Sequence, residues 1–134
     1  MHKHASTAQI DAVAQGDPDE PVVMLNLLRY RETAESGYGV DGMSGEAAYR
    51  EYGRRFAELQ PRFGGEPIWM GRGGVTAIGP TSEHWDIAIL VRYPTRAQFV
   101  AMFRDPDYLA IAPIRAAALA DSRIIETTQL LPKT

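Results

Sequence analysis

The sequence predicts one α+β domain of β-α-β-β-α-β order behind a short opening helix, and three observations carry that expectation. Residues 22–28, Val-Val-Met-Leu-Asn-Leu-Leu, are apolar at both parities, as in a central strand covered on both faces. Residues 44–62 follow a helical period with charges on the far side. Glycine and proline then divide the rest into a hairpin, an interrupted helix and a closing strand. At 134 residues the chain fits one domain, residues 1–134, with residues 1–20 as a helical extension. A domain of this size buries roughly two-thirds of its unfolded surface, so a core forms without disulfides, and no cysteine is present.

Each element has a local cause. Ser6 with Gln9 three residues on is a capping-box pattern, and Ile10, Val13 and Ala14 form a short apolar stripe that stops at Gly16. After the break at 17–21, the central strand is expected over 22–30. Residues 31–43 hold three glycines and no periodicity, so they read as a long loop. Ser44 is the expected N-cap of the main helix, whose face is Ala48, Tyr52, Phe56, Leu59 and Phe63. The pairs Glu46 with Arg50 and Glu51 with Arg55 have i,i+4 spacing. Gly64 and Gly65 end that helix. A strand bulged at its glycines is expected over 66–79, then a turn at 79–82 and a hairpin partner over 85–93. Thr95 caps a helix with Phe99, Met102 and Phe103 inward, and Asp105-Pro106 caps the next, which Pro113 is expected to break. Residues 122–131 read as the last strand.

This order is the ferredoxin-like arrangement, with strand order 4-1-3-2 and both crossover helices on one face. The phase expected for the central strands puts Val23, Leu25, Leu27, Ile87, Ile89 and Val91 toward the helices. Met24, Asn26, Leu28, Ala88 and Leu90 would then form an open face too apolar for water, which a second copy of the chain covers. A homodimer enclosing a cavity between sheet and helices follows.

Charge and composition exclude several classes. The net charge of −3, with both signs interspersed, offers no basic stripe for nucleic acid or for an anionic membrane surface. The polar first residues do not resemble a signal peptide, and no apolar run approaches the ~18 residues of a membrane span, so a cytoplasmic protein is the expectation. No metal or cofactor site is expected, because histidine and carboxylate clusters with ligand spacing are absent. His2 and His4 lie at the terminus. His84, beside Trp85, reads as an exposed turn residue, with a haem ligand as the alternative. Gly71-Arg72-Gly73-Gly74 lacks the spacing and strand-to-helix context of a phosphate loop, and no G-x-S-x-G elbow occurs.

The candidate site is a ligand-binding one: Asn26, Tyr30, Trp69, Asp86, Tyr108, Arg115 and Arg123. Asn26 is an amide in an apolar strand and needs partners once buried. Tyr30, Asp86 and Arg123 fall at one end of the sheet, where Asp86 and Arg123 form either an ion pair or a polar cavity mouth. Trp69 and Tyr108, with Phe103 and Trp85, supply aromatic walls or plain core. Arg115, on a helix of alanine and isoleucine, must snorkel, pair with a buried acid or meet an anionic ligand. The expected ligand is a small polar or anionic molecule.

Residues 24–28 (Met-Leu-Asn-Leu-Leu), Ile78-Gly79-Pro80 with Trp85-Asp86, Tyr93-Pro94 with Arg96, Asp105-Pro106-Asp107-Tyr108 with Ile111-Ala112 and Arg115, and residues 118–123 (Ala-Leu-Ala-Asp-Ser-Arg) resemble the family of domain of unknown function 1330. The resemblance spans about residues 21–126. It implies the dimeric α/β-barrel superfamily, whose members include cofactor-free monooxygenases, isomerases and haem-handling proteins. It therefore implies fold and dimerisation, and leaves open whether the chain is an enzyme, a binding protein or a non-catalytic dimeric module.

Overall fold

The computed structural model describes residues 2–133. The elements are α1 (Thr7–Ala14), β1 (Val22–Tyr30), α2 (Gly45–Phe63), β2 (Glu66–Arg72), β3 (Ile87–Tyr93), α3 (Arg96–Arg104), α4 (Pro106–Ala118) and β4 (Leu119–Thr127). The strands form one antiparallel sheet in the order β2-β3-β1-β4, the ferredoxin-like order, with both crossovers packed on one face. Among the described residues, no helix is long and apolar enough to cross a membrane.

The caps lie where the sequence places them. The Ser6 side chain accepts from the Gln9 amide, Ser44 from Ala47, Thr95 from Gln98 and Asp105 from Asp107. Gly64 ends α2 in the left-handed region, at φ 72°, which a side chain would strain.

Four expectations are corrected. The hairpin strand stops at Arg72 rather than 79, and β3 begins at Ile87, so a fourteen-residue connection, 73–86, replaces a short turn. Gly73 and Gly74 follow the last ladder residue, and the register shift of this strand lies between Pro67 and Trp69 rather than at a glycine. The last strand covers Leu119–Thr127 rather than 122–131. Helix α4 runs unbroken through Pro113. Pro113 lacks only the N–H that would bond the Leu109 carbonyl, and Leu109 lies on the exposed side of the helix.

The fourth correction is the phase of β1. Met24, Asn26 and Leu28 pair with Val91, Ile89 and Ile87 and face the helices, where Met24 and Leu28 join the core. Leu25 and Leu27 pair with Leu90 and Ala88 and face outward. Because side chains alternate strictly along a strand, a shift of one residue exchanges the faces completely. On the outer face Leu25, Leu27 and Leu90 meet Trp69, 55% exposed, and Ile125, 47% exposed.

Candidate functional site

Between the sheet and its helices lies an inner cavity of about 190 Å³. Its floor is Met24, Asn26 and Ile124 with Ile89 and Val91; its walls come from α2, α3 and α4. Three residues of the expected site, Asn26, Tyr108 and Arg115, line it. A continuous series of aromatic contacts surrounds it. Tyr49 and Tyr52 lie 5.4 Å apart by ring centroids, Tyr52 and Tyr108 6.5 Å edge-on, Tyr108 and Phe103 5.0 Å, and Phe103 and Phe99 4.9 Å. These rings come from three helices, because Tyr49, Tyr52 and Phe56 share one face of α2 while Tyr108 opens α4 opposite Phe103 of α3.

Arg115 is the one charged side chain in this inner wall among the described residues, and it is only 6% exposed. It neither snorkels nor finds an acid: no described carboxylate lies at salt-bridge distance from it. Its guanidinium donates two long hydrogen bonds, both 3.4 Å, to Asn26 Oδ1 and Ser122 Oγ. Asn26 in turn donates to the Met24 carbonyl at 3.2 Å. The Tyr52 and Tyr108 hydroxyls share one hydrogen bond of 2.9 Å. Burial raises the pKa of Tyr49, Tyr52 and Tyr108 and keeps all three neutral, although the nearby Arg115 charge pulls the other way.

Arg115 also borders a larger groove of about 710 Å³ roofed by residues 2–13, which shares Met24, Phe99, Phe103, Tyr108 and Ile124 with the inner cavity. The roof is tied down at its start. The His2 amide donates to Asp121 Oδ1 at 2.9 Å, and the His2 carbonyl accepts from the Ser122 amide at 2.8 Å and from Ser122 Oγ at 2.7 Å. Lys3 pairs with Glu35. Burial acts to raise the pKa of Asp121, but the His2 and Ser122 amides and Arg123 outweigh it and hold the carboxyl at about 2.

Of the other four expected site residues, Arg123 lines the groove with Arg115 and Tyr108, while Tyr30, Trp69 and Asp86 line neither space. Asp86 accepts from the Tyr30 amide at 2.8 Å and meets His84 Nε2 at 3.0 Å, so these two share the sheet end but not the cavity. Burial pushes the Tyr30 hydroxyl up to about 12. Arg123 does not pair with Asp86; it binds Asp121 at 2.7 Å and lies 5.2 Å from the Trp85 ring centre, with Arg29 at 5.3 Å. Trp69 follows Leu90 onto the outer face, away from Asn26, whereas Arg123, opposite Leu27 on the edge strand, also lines the groove. Tyr49 was not among the expected residues, yet it stands beside Arg115. Its signal was the aromatic spacing 49, 52, 56 on one helix face.

The chain matches the family model DUF1330, a domain of unknown function, over residues 41–128. Two crystal structures of one protein of unknown function from Rhodopseudomonas palustris are similar over nearly the whole length. The native form shares 37% identity at a TM-score of 0.86, covering 98% of both chains. The methylated form shares 36% at 0.88, covering 99% of this chain and 98% of that one. The hydroxynitrile lyase of Passiflora edulis is 16% identical with a TM-score of 0.55, covering 87% of this chain and all of its own, a likeness of fold alone. A dimeric ferredoxin-like protein of unknown function from Bacteroides fragilis is 13% identical with a TM-score of 0.50, covering 81% and 96%. No curated protein matches the chain.

Proposed function

The chain belongs to the DUF1330 family, and from that premise we propose that it is a homodimeric small-molecule-binding protein whose ligand occupies the cavity between sheet and helices. The observation that carries the reading is a buried, acid-free guanidinium, Arg115, in the wall of an otherwise aromatic and aliphatic cavity. Burying an unpaired charge costs several kcal/mol, and a binding site is where such a cost is retained. A non-catalytic module with a filled interior would need neither the cavity nor the arginine. A haem protein using His84 is disfavoured by position, since His84 pairs with Asp86 at the sheet end and lines neither the cavity nor the groove.

The test is a thermal-shift screen of small acids, phenols and lactones, because a ligand bound only by the folded state raises Tm. Arg115→Met should abolish the shift produced by whichever compound raises Tm; a set of compounds that leaves Tm unmoved would reject the reading.

The dimer rests on Leu25, Leu27, Ala88 and Leu90 with Trp69 and Ile125, an apolar outer face that no other element of the described chain covers. Light scattering at micromolar concentration should give twice the chain mass, and Leu90→Glu should give the single mass. A native monomer at that concentration counts directly against it.

A further inference from the structure

Resting on that reading, we infer that the ligand is a compact cyclic monocarboxylate that arrives already ionised, its carboxylate on Arg115 and its ring in the aromatic cage.

The inference comes from matching donors to acceptors. Arg115 carries five N–H groups, and the Tyr52–Tyr108 pair has two hydroxyl protons for one shared bond, so one proton is left over. Tyr49 Oη accepts from the guanidinium and keeps its own hydroxyl proton to donate. Facing these donors, the described residues provide Tyr49 Oη, with Asn26 Oδ1 and Ser122 Oγ each at the long distance of 3.4 Å. Protein N–H···O bonds favour about 2.9–3.0 Å, so even these contacts are loose. No fully buried side-chain polar atom lacks a partner among the described residues, but donors outnumber acceptors around Arg115, and an oxyanion is the ligand group that would balance them. A carboxylate offers two oxygens and about four lone-pair directions, which a guanidinium and a phenol can share.

Charge sets the class. No carboxylate, imidazole or amine lines the inner cavity among the described residues, and burial keeps the three tyrosines neutral. The inner wall therefore holds no base and one fixed positive charge, Arg115; the other charged groups, Lys3, Asp11, Arg104, Arg123 and Glu126, line the groove outside it. A second carboxylate, or a phosphate dianion, would be left unpaired in an apolar interior.

Size and shape set the body. An apolar cavity of ~150 Å³ takes up benzene. The 190 Å³ available here holds one ring with a short acidic substituent, and the faces of Tyr52, Phe56, Phe103 and Tyr108 suit a flat ring. Arg115 stands at the boundary with the groove, so the carboxylate would lie toward the groove and the ring inward.

Titration calorimetry on the full chain with benzoate, benzamide and terephthalate tests this. Benzoate should bind at least about tenfold more tightly than its neutral isostere benzamide, as the loss of a charge-assisted hydrogen bond in a buried site entails. Terephthalate should fail, and benzoate affinity should fall only where the pH drops into the range in which benzoate itself protonates. Arg115→Met should erase the preference for benzoate over benzamide, and Tyr108→Phe should weaken benzoate while leaving benzamide unchanged. Equal binding of benzoate and benzamide by the native protein overturns the monocarboxylate class but leaves a small-molecule site standing. Binding of none of the three, the result for a cavity holding water only, overturns the class, and the broader screen then decides the reading beneath it. The comparison on native protein decides even if the Arg115 variant does not fold.

Discussion

Tyr52→Ala is expected to destabilise the fold by about 3–5 kcal/mol, the range for emptying a buried aromatic site. Tyr52 is buried at the centre of the cage, stacked on Phe56 at 6.0 Å and edge-on to Tyr108. Its removal joins a new void to an existing one, so little collapse is available to recover the lost contacts. It also strips the Tyr108 hydroxyl of its partner. Tyr52→Phe separates the two effects, because it keeps the ring and should cost about 1 kcal/mol for the hydrogen bond alone. Urea denaturation measures both; a loss below about 1 kcal/mol for the alanine variant would mean this helix face is not core.

The second large effect is expected at Arg96. Only 5% of its side chain is exposed, and its guanidinium gathers four acceptors: the Val13 and Asp17 carbonyls at 3.2 Å, Glu20 at 3.2 Å, and Glu126. It thereby joins α1, the turn after it, α3 and β4. A Cβ at Gly16 would come within 2.5 Å of this guanidinium, so the chain needs glycine there for the arginine to fit. Arg96→Ala should cost about 3 kcal/mol, as for a buried ion pair broken from one side. Arg96→Lys should recover little, since one ammonium cannot span the same four acceptors. Denaturation, with limited proteolysis of residues 2–20, reads the result; unchanged stability and unchanged cleavage would contradict the linking role.

Why these sites were unequally legible follows from the residues themselves. Caps and glycine stops are written locally, so Ser6, Ser44, Thr95, Asp105 and Gly64 mark helix ends directly in the sequence. The phase of β1 is not written locally. Residues 22–28 are apolar on both sides, and alternation cannot say which side meets the helices. Asn26 reads in the sequence as an amide that needs a partner once buried, and that partner, Arg115, is 89 residues away. The same blindness to distant partners hid Arg96, whose four acceptors come from residues 13–20 and from Glu126, all far from it in sequence. Arg115 itself was legible as an anomaly, a charge on an apolar helix, although the absence of an acid beside it is visible only in three dimensions. The separation of Trp69 from Asn26 follows from the same phase.

Strand β1 has a further consequence through its alternation. Asn26 faces the cavity while Leu25 and Leu27 face the surface assigned to a second copy, so the two surfaces share backbone but no side chain. An effect of cavity occupancy on association needs two states that the ligand binds with different affinity, and the two surfaces share no side chain through which occupancy of one would favour a packing of the other. In the proposed dimer the two protomers would therefore saturate as identical, independent sites, without cooperativity, and the strength of subunit association would be the same with the cavities empty or full.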